Sequence, residues 1–155
     1  MDKFIPYGRQ EINDQDITSV VEVLKSDFQT QGPRIEKFEK DFARYIGAKY
    51  AVAVSNGTAA LHLSALSLGV KNGSKVITSP ISFASTANSI EFCGGEIDFC
   101  DIDPNTLCLD IDLVRNKLEK SPKGTYKGII PVDFAGYPVN MEAFRSIAEE
   151  YGLWI

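Results

Sequence analysis

Apolar residues recur along the chain with two spacings, one typical of helices and one of strands. Two helices are predicted before any strand. The first covers residues 14–25 and starts at Asn13 or Asp14 as its cap. Its apolar face carries Ile17, Val20, Val21 and Leu24. The second covers residues 34–46 and ends at Gly47, a residue type that commonly closes helices. The intervening Gly-Pro pair separates the two.

From residue 50 onward, short apolar runs alternate with helical patterns. The predicted strands are Tyr50–Val54, Lys75–Ser79, Glu96–Cys100, Gly128–Val132 and Leu153–Ile155. The predicted helices are Gly57–Leu68, Phe83–Cys93, Asp110–Leu118 and Met141–Tyr151. Because strands and helices alternate with short connections, we predict an α/β fold in three layers, with a mostly parallel sheet and helices on both faces. Pro131 has no amide hydrogen, so the fourth strand should bend or end there.

Composition restricts the class of protein. A chain of 155 residues with 44% hydrophobic and 24% charged residues suits a globular domain. Its apolar runs are too short to span a bilayer, and its first residues lack a secretory pattern, so a cytoplasmic location is expected. The net charge of −5 and the scattered basic residues argue against nucleic acid as a partner.

The cysteines do not indicate a metal site or a nucleophile. Cys93, Cys100 and Cys108 lack the paired short spacings of zinc ligands and are interpreted as reduced core thiols. A catalytic thiol needs a base, and the single histidine, His62, falls inside a predicted apolar helix. We therefore expect no metal.

The turn Ser55–Leu61 has the features of an anion site. It joins a predicted strand to a predicted helix, so it leaves free amide groups at the positive end of the helix dipole. Gly57 would let a ligand approach the backbone, and Thr58 offers a hydroxyl donor. The same residues are also typical of a helix cap without a ligand, and on local sequence alone that interpretation is favoured.

Other polar residues follow the predicted strands. Ligands of open α/β sheets bind at the carboxyl ends of the strands. Those ends hold Ser55–Thr58, Ser79–Phe83, Asp101–Asp103 and Asp133–Gly136. The last predicted strand, at Leu153–Ile155, has no element after it to cover the sheet edge, so we expect the chain to be a fragment of a longer protein.

Several blocks together resemble the DegT/DnrJ/EryC1/StrS sugar aminotransferases. They are Ser55–His62, Val76–Asn88, Asp101–Asp103 and Ile129–Gly136, in the family's order, and the similarity extends from Tyr7 to Ile155. Residues 24–32 and 80–83 are most similar to the UDP-4-amino-4,6-dideoxy-N-acetyl-β-L-altrosamine transaminases of pseudaminic acid synthesis.

The resemblance implies a fold type I enzyme that uses pyridoxal 5′-phosphate, works as a homodimer and moves an amino group from glutamate to a UDP-linked 4-keto-6-deoxy amino sugar. By the family pattern Gly57, Thr58 and Ala59 would hold the cofactor phosphate. Phe83 would stack on the pyridine ring, although a core aromatic is the alternative.

Further positions are carried over from the family. Asn88 and Thr86 would support the cofactor site; the alternative for both is a polar residue that caps or lines a helix face. Substrate contacts would come from Tyr7, Gln29, Thr30 and Gln31. Asp133 stands where many relatives have histidine, without an implied role. The predicted division is a substrate and dimer-contact segment at 1–33 and a truncated cofactor-binding domain at 34–155.

The resemblance also says what this chain lacks. Relatives continue into an aspartate that pairs with the pyridinium nitrogen and, later, the Schiff-base lysine. The lysines that are present fall at helix ends, turns or strand starts and are interpreted as solvated surface charges: Lys49, Lys71, Lys75, Lys117 and Lys127. We therefore expect the parent to be a transaminase and this chain alone to be inactive.

Two other function classes are alternatives to a sugar aminotransferase. One is a catalytically inactive homologue that acts as a binding or dimerisation module. The other is a nucleotide-binding protein of another doubly wound family, which lacks support because neither a P-loop nor a dinucleotide fingerprint occurs. Within the enzyme class, dehydratase relatives carry histidine in place of the lysine.

Overall fold

The computed structural model describes residues 4, 6 and 8–155. The chain divides into two compact units, Met1–Ala53 and Val54–Ile155, and each is described by itself. In the residues described, no helix is both long enough and apolar enough to cross a membrane. The predicted functional division at residue 33 stays a prediction.

The first unit contains two helices, α1 at Asp14–Leu24 and α2 at Pro33–Ile46. Asn13 caps α1 in a reciprocal capping box with Asp16, which decides between the two predicted caps. Gly47 ends α2 in the left-handed region at φ 71°, as predicted. The Glu39 carboxylate accepts the Ala53 amide at 2.8 Å and so ties α2 to the following extended segment.

The second unit is a three-layer α/β arrangement. Its elements are α3 (Gly57–Ser67), β1 (Lys75–Thr78), α4 (Ser85–Glu91), β2 (Glu96–Phe99), α5 (Ile111–Glu119), β3 (Tyr126–Ile130) and α6 (Met141–Tyr151). The three strands are parallel, in the order β2-β1-β3. The predicted fold class is therefore confirmed.

Alternate residues of β1 serve the two faces of the sheet. Ile77 joins a core with α5 and α6 that includes Leu109, Val114, Leu118, Ile129, Phe144 and Ile147. Val76 points to the other face, where the core contains Ala65, Val70 and Ile90 of the α3–α4 side. Helices therefore cover both faces, as the alternation of a strand requires.

The element boundaries differ most from the prediction at four places. Tyr50–Val54 forms no strand, because no described strand pairs with it, and Tyr50 and Val52 are exposed. Leu153–Ile155 contributes only a parallel bridge from Trp154 to Gly128. The fourth helix begins at Ser85, which leaves Phe83 outside it. The strand predicted at Gly128–Val132 is observed two residues earlier, at Tyr126–Ile130, and it ends before Pro131, as expected.

Gly128 leaves room for Trp154. A Cβ at residue 128 would lie 2.2–2.4 Å from three atoms of the indole ring. Around it, the Ile129 amide donates to the Trp154 carbonyl at 2.9 Å, and the Trp154 amide donates to the Lys127 carbonyl at 3.2 Å. The missing side chain therefore allows the C-terminal segment to lie directly on β3.

Two lysines predicted to be solvated lie in a charged cluster instead. Asp98 of β2 accepts from Lys117 at 2.5 Å and from the Tyr126 hydroxyl at 2.6 Å, and Lys75 lies 3.2 Å from it. Burial opposes the charge on Asp98, but these three donors outweigh burial and lower its pKa to about 2. The prediction for Lys75 and Lys117 is wrong because their carboxylate partner comes from a neighbouring strand.

Candidate functional site

The polar loops follow β1, β2 and β3 at one edge of the sheet, as parallel pairing requires. The Thr78 hydroxyl donates to the Ile130 carbonyl at 2.8 Å, which fixes the ends of β1 and β3 beside each other. The loops 79–84 and 131–140 therefore leave the sheet side by side. No lysine or arginine lies on them or on residues 100–110.

The N-terminus of α3 is partly available to an anion. The Asn56 side chain accepts the Ala59 amide at 2.9 Å, so that predicted donor is already used by the cap. Within the described part of the chain, the amides of Gly57 and Thr58 donate to no partner. A Cβ at Gly57 would meet nothing within 4 Å. The turn thus offers two free amides to a phosphate.

Phe83 lies in the loop between β1 and α4 and is 78% exposed. It is therefore not a core aromatic, which was the alternative interpretation. Its backbone carbonyl accepts the Thr86 amide at 3.0 Å, so the loop around it is ordered. An exposed aromatic ring at the carboxyl edge of a sheet can stack on a planar ligand.

Thr86 and Asn88 lie on α4, but their surroundings differ. Thr86 is buried, and its hydroxyl is 2.6 Å from that of Ser82 in the preceding loop. The N-cap of α4 is Ala84, without a side-chain cap bond, so Thr86 lines the helix face and does not cap the helix. Asn88 is half-buried, and its backbone amide donates to the Ala84 carbonyl at 3.0 Å. Ser82 had no predicted role of its own, although its spacing of four residues from Thr86 was a signal for this contact.

The Asp133 side chain closes the loop after β3 through a hydrogen bond. Its Oδ1 accepts the Val139 amide at 2.9 Å. Inside the loop, the Tyr137 amide donates to the Phe134 carbonyl at 2.8 Å. No role for this aspartate was predicted, because its partner lies six residues away in a turn that apolar periodicity does not describe.

Of the predicted substrate residues, the three that the structure describes, Gln29, Thr30 and Gln31, are exposed. Gln29 donates from Nε2 to the Leu24 carbonyl at 3.4 Å, and Gln31 lies in the left-handed region at φ 52°. Thr30 is exposed between them. Tyr7 lies outside the described residues. The substrate roles of all four stay predictions.

The thiols match the prediction in part. All three cysteines are free, and Cys100 and Cys108 are buried. Burial raises the pKa of the Cys100 thiol, which disfavours the thiolate a nucleophile needs. Cys93 is only half-buried and donates to the Ser89 carbonyl at 3.3 Å. Among the residues described, no group of three or more acidic, histidine or cysteine side chains could hold a metal.

In the second unit, Gly57, Thr58 and Ala59 lie on α3 and Asn88 lies on α4, and these two helices pack against each other. No described hydrogen bond joins the Gly57 turn to Phe83, Asn88 or Asp133. Anion binding would depend on backbone donors, and the exposed ring would be the main apolar contact. That chemistry suits a small planar phosphate ester.

Comparison with known proteins identifies a family. The model of the DegT/DnrJ/EryC1/StrS aminotransferase family matches residues 10–155. The spore coat polysaccharide biosynthesis protein SpsC of Bacillus subtilis is 43% identical over 152 residues, which are 98% of this chain and 38% of SpsC.

Solved structures agree with the family match. NtdA from Bacillus subtilis, with the cofactor PMP bound, has a TM-score of 0.80 and 33% identity, and covers 92% of this chain and 33% of its own. The aminotransferase from Psychrobacter cryohalolentis has a TM-score of 0.83 and 28% identity, over 96% of this chain and 37% of its own. This chain thus spans less than two fifths of the relatives it matches.

Proposed function

Because this chain belongs to the DegT/DnrJ/EryC1/StrS aminotransferase family, we propose that it is the phosphate-holding and ring-covering part of a pyridoxal-phosphate-dependent sugar aminotransferase. The observation that carries the proposal is the pair of unpartnered amides at Gly57 and Thr58, at the start of an 11-residue helix. A helix N-terminus with free amides is the usual protein partner of a phosphate.

Each predicted residue would have a distinct task. Gly57 and Thr58 would bind the phosphate through their amides, and the Thr58 hydroxyl would add a third donor. Ala59 would join them only when the Asn56 side chain releases its amide. Phe83 would cover one face of the ring. The half-buried Asn88 would support the site from α4.

Pyridoxal phosphate, when bound, supplies the electron sink that transamination requires. The residues of this chain would fix the position of the cofactor and shield one face of its ring from water. We propose glutamate as the amino donor and a UDP-linked 4-keto-6-deoxy amino sugar as the acceptor, in a homodimer. The polysaccharide role in the name of SpsC supports a surface-sugar pathway, and pseudaminic acid synthesis is our specific proposal.

We also propose that this chain alone binds the cofactor without turning over. The carboxyl-edge loops of its second unit carry no lysine that could bond covalently to the cofactor. A binding module is therefore the second candidate function. Incubating the chain with pyridoxal phosphate, glutamate and the keto-sugar nucleotide should give no amino sugar. Amino-sugar formation, with a pyridoxyl group on a defined lysine after borohydride reduction, would refute the inactivity.

Cofactor binding is tested by titration with pyridoxal phosphate, followed by fluorescence. Gly57→Leu should keep the fold, because a side chain there meets open space, and should weaken binding at least tenfold by blocking the amides. Thr58→Val should weaken it about tenfold, the worth of one hydrogen bond to a charged group. The matched control Thr18→Val changes an exposed threonine of α1. Equal affinities for all four proteins would contradict the proposal.

A further inference from the structure

The loop of residues 133–139 is held in one conformation by several contacts. Asp133 accepts the Val139 amide at 2.9 Å, and Val139 is buried in the core. The Cys108 thiol donates to the Tyr137 carbonyl at 3.6 Å. Between these points, Ala135 and Gly136 have φ values of 50° and 84°, the positive pair that a tight type I′ turn uses.

This conformation needs support. A residue other than glycine in the left-handed region costs on the order of 1 kcal/mol, so Ala135 would relax if the loop were free. The Asp133 bond spans the turn and closes it from outside. Because the loop is anchored at both ends, the position of Tyr137 depends on the carboxylate of Asp133.

The loop lies where a substrate of the proposed reaction would approach. It follows β3, and the Thr78–Ile130 hydrogen bond places the end of β3 beside the loop that carries Phe83. Tyr137 is 56% exposed, and Asp133 is exposed as well. An aromatic ring with a hydroxyl suits the apolar face and the hydroxyl groups of a sugar. The carboxylate would repel a diphosphate, so the loop suits the sugar end of a sugar nucleotide.

We propose that Asp133 is a positioning residue that holds the loop 133–139 as a sugar-recognition element, with Tyr137 as the group that contacts the sugar. This inference rests on the proposed function, since it names the substrate moiety that the same edge of the sheet recognises. Asp133 acts through the Val139 amide and does not itself touch the reacting atoms.

The test measures binding of UDP-N-acetylglucosamine and of UDP to the pyridoxal-phosphate-saturated chain by calorimetry. Asp133→Ala should raise the Kd of the UDP-sugar about tenfold and leave that of UDP unchanged, because the loop meets only the sugar. Asp133→Asn should stay within about twofold of the wild type, since its amide oxygen still accepts the Val139 amide. Tyr137→Ala should match Asp133→Ala, and the control Tyr45→Ala, on the exposed surface of α2, should change neither Kd.

A purely structural role predicts a different result. Asp133→Ala would then lower the thermal midpoint but leave both dissociation constants unchanged, or change both equally, and either outcome overturns the inference. Absence of UDP-sugar binding by the wild type overturns it as well. Failure of the wild type to bind pyridoxal phosphate, with UDP-sugar binding retained and dependent on Asp133 in the unsaturated chain, would refute the proposed function while supporting the role of the loop.

Discussion

Replacing Gly128 with alanine should destabilise the chain through one identifiable contact. The new methyl group would lie 2.2–2.4 Å from the Trp154 ring, whereas ordinary contact begins at 3.4 Å. The rigid ring would have to recede by about 1 Å, or β3 would have to move, and such overpacking costs about 1–3 kcal/mol. Alanine also lowers the conformational entropy of the unfolded chain, which stabilises the folded state by about 0.5 kcal/mol. We expect a net loss of about 2 kcal/mol in the free energy of unfolding.

The assay is urea unfolding followed by far-UV circular dichroism, in a double-mutant cycle with Trp154→Ala. Removing the ring costs about 2–3 kcal/mol by itself, because the indole is only half-buried. With the ring gone, Gly128→Ala should be neutral or slightly stabilising. The predicted coupling between the two substitutions is therefore about 2 kcal/mol. Additive effects, or a neutral Gly128→Ala in the wild-type background, would refute the reasoning.

Two further predictions concern the charged cluster and the first helix. The pKa of Asp98 falls from 3.8 to about 2 on folding, so its contribution of about 2 kcal/mol is complete above about pH 5 and is lost progressively as the pH falls through the folded pKa of about 2. Asp98→Asn should flatten the acid limb of a stability–pH profile, and an unchanged limb would contradict this assignment. Asn13→Ala removes the capping box of α1 and should lower the free energy of unfolding by about 1 kcal/mol in urea unfolding; Asn13→Ser should restore most of it, and equal losses for both variants would argue against capping.

Local signals were sufficient for most of the fold. The helix at Met141–Tyr151 has its predicted bounds, because Asn140 caps its start and Gly152 closes its end with a φ of 67°. β3 ends before Pro131 because proline has no amide hydrogen to donate within a sheet, which the residue type alone predicts. Strand–helix alternation predicted the parallel sheet, because a parallel pair requires a crossover connection.

Features that depend on distant partners were not predictable in the same way. Tyr50–Val54 has the composition of a strand, but a strand also needs a hydrogen-bonding neighbour, which an apolar pattern cannot supply. Lys75 and Lys117 were predicted to be solvated, but β2 places the Asp98 carboxylate beside both of them. The need for glycine at residue 128 follows from its contact with the Trp154 ring, which the sequence does not predict.

The sequence and its family resemblance were sufficient to propose residues for the candidate site, but not to describe how a cap and a ligand share its amides. Local sequence alone favoured a ligand-free cap at the turn before α3, and only the family resemblance pointed to a phosphate there; the free amides of Gly57 and Thr58 suit that role. The favoured cap is present, because the Asn56 side chain accepts the Ala59 amide. The competition between a cap and a ligand depends on a side-chain torsion, which residue type alone does not determine.

The most direct test of the central claim is a two-dimensional ¹H–¹⁵N nuclear magnetic resonance titration of the chain with pyridoxal phosphate. If the start of α3 holds the phosphate, the amide protons of Gly57 and Thr58 should move downfield on binding, and pyridoxal without its phosphate should leave them in place. Binding of pyridoxal phosphate that leaves both amide signals unmoved, or moves them equally with pyridoxal, would contradict the account.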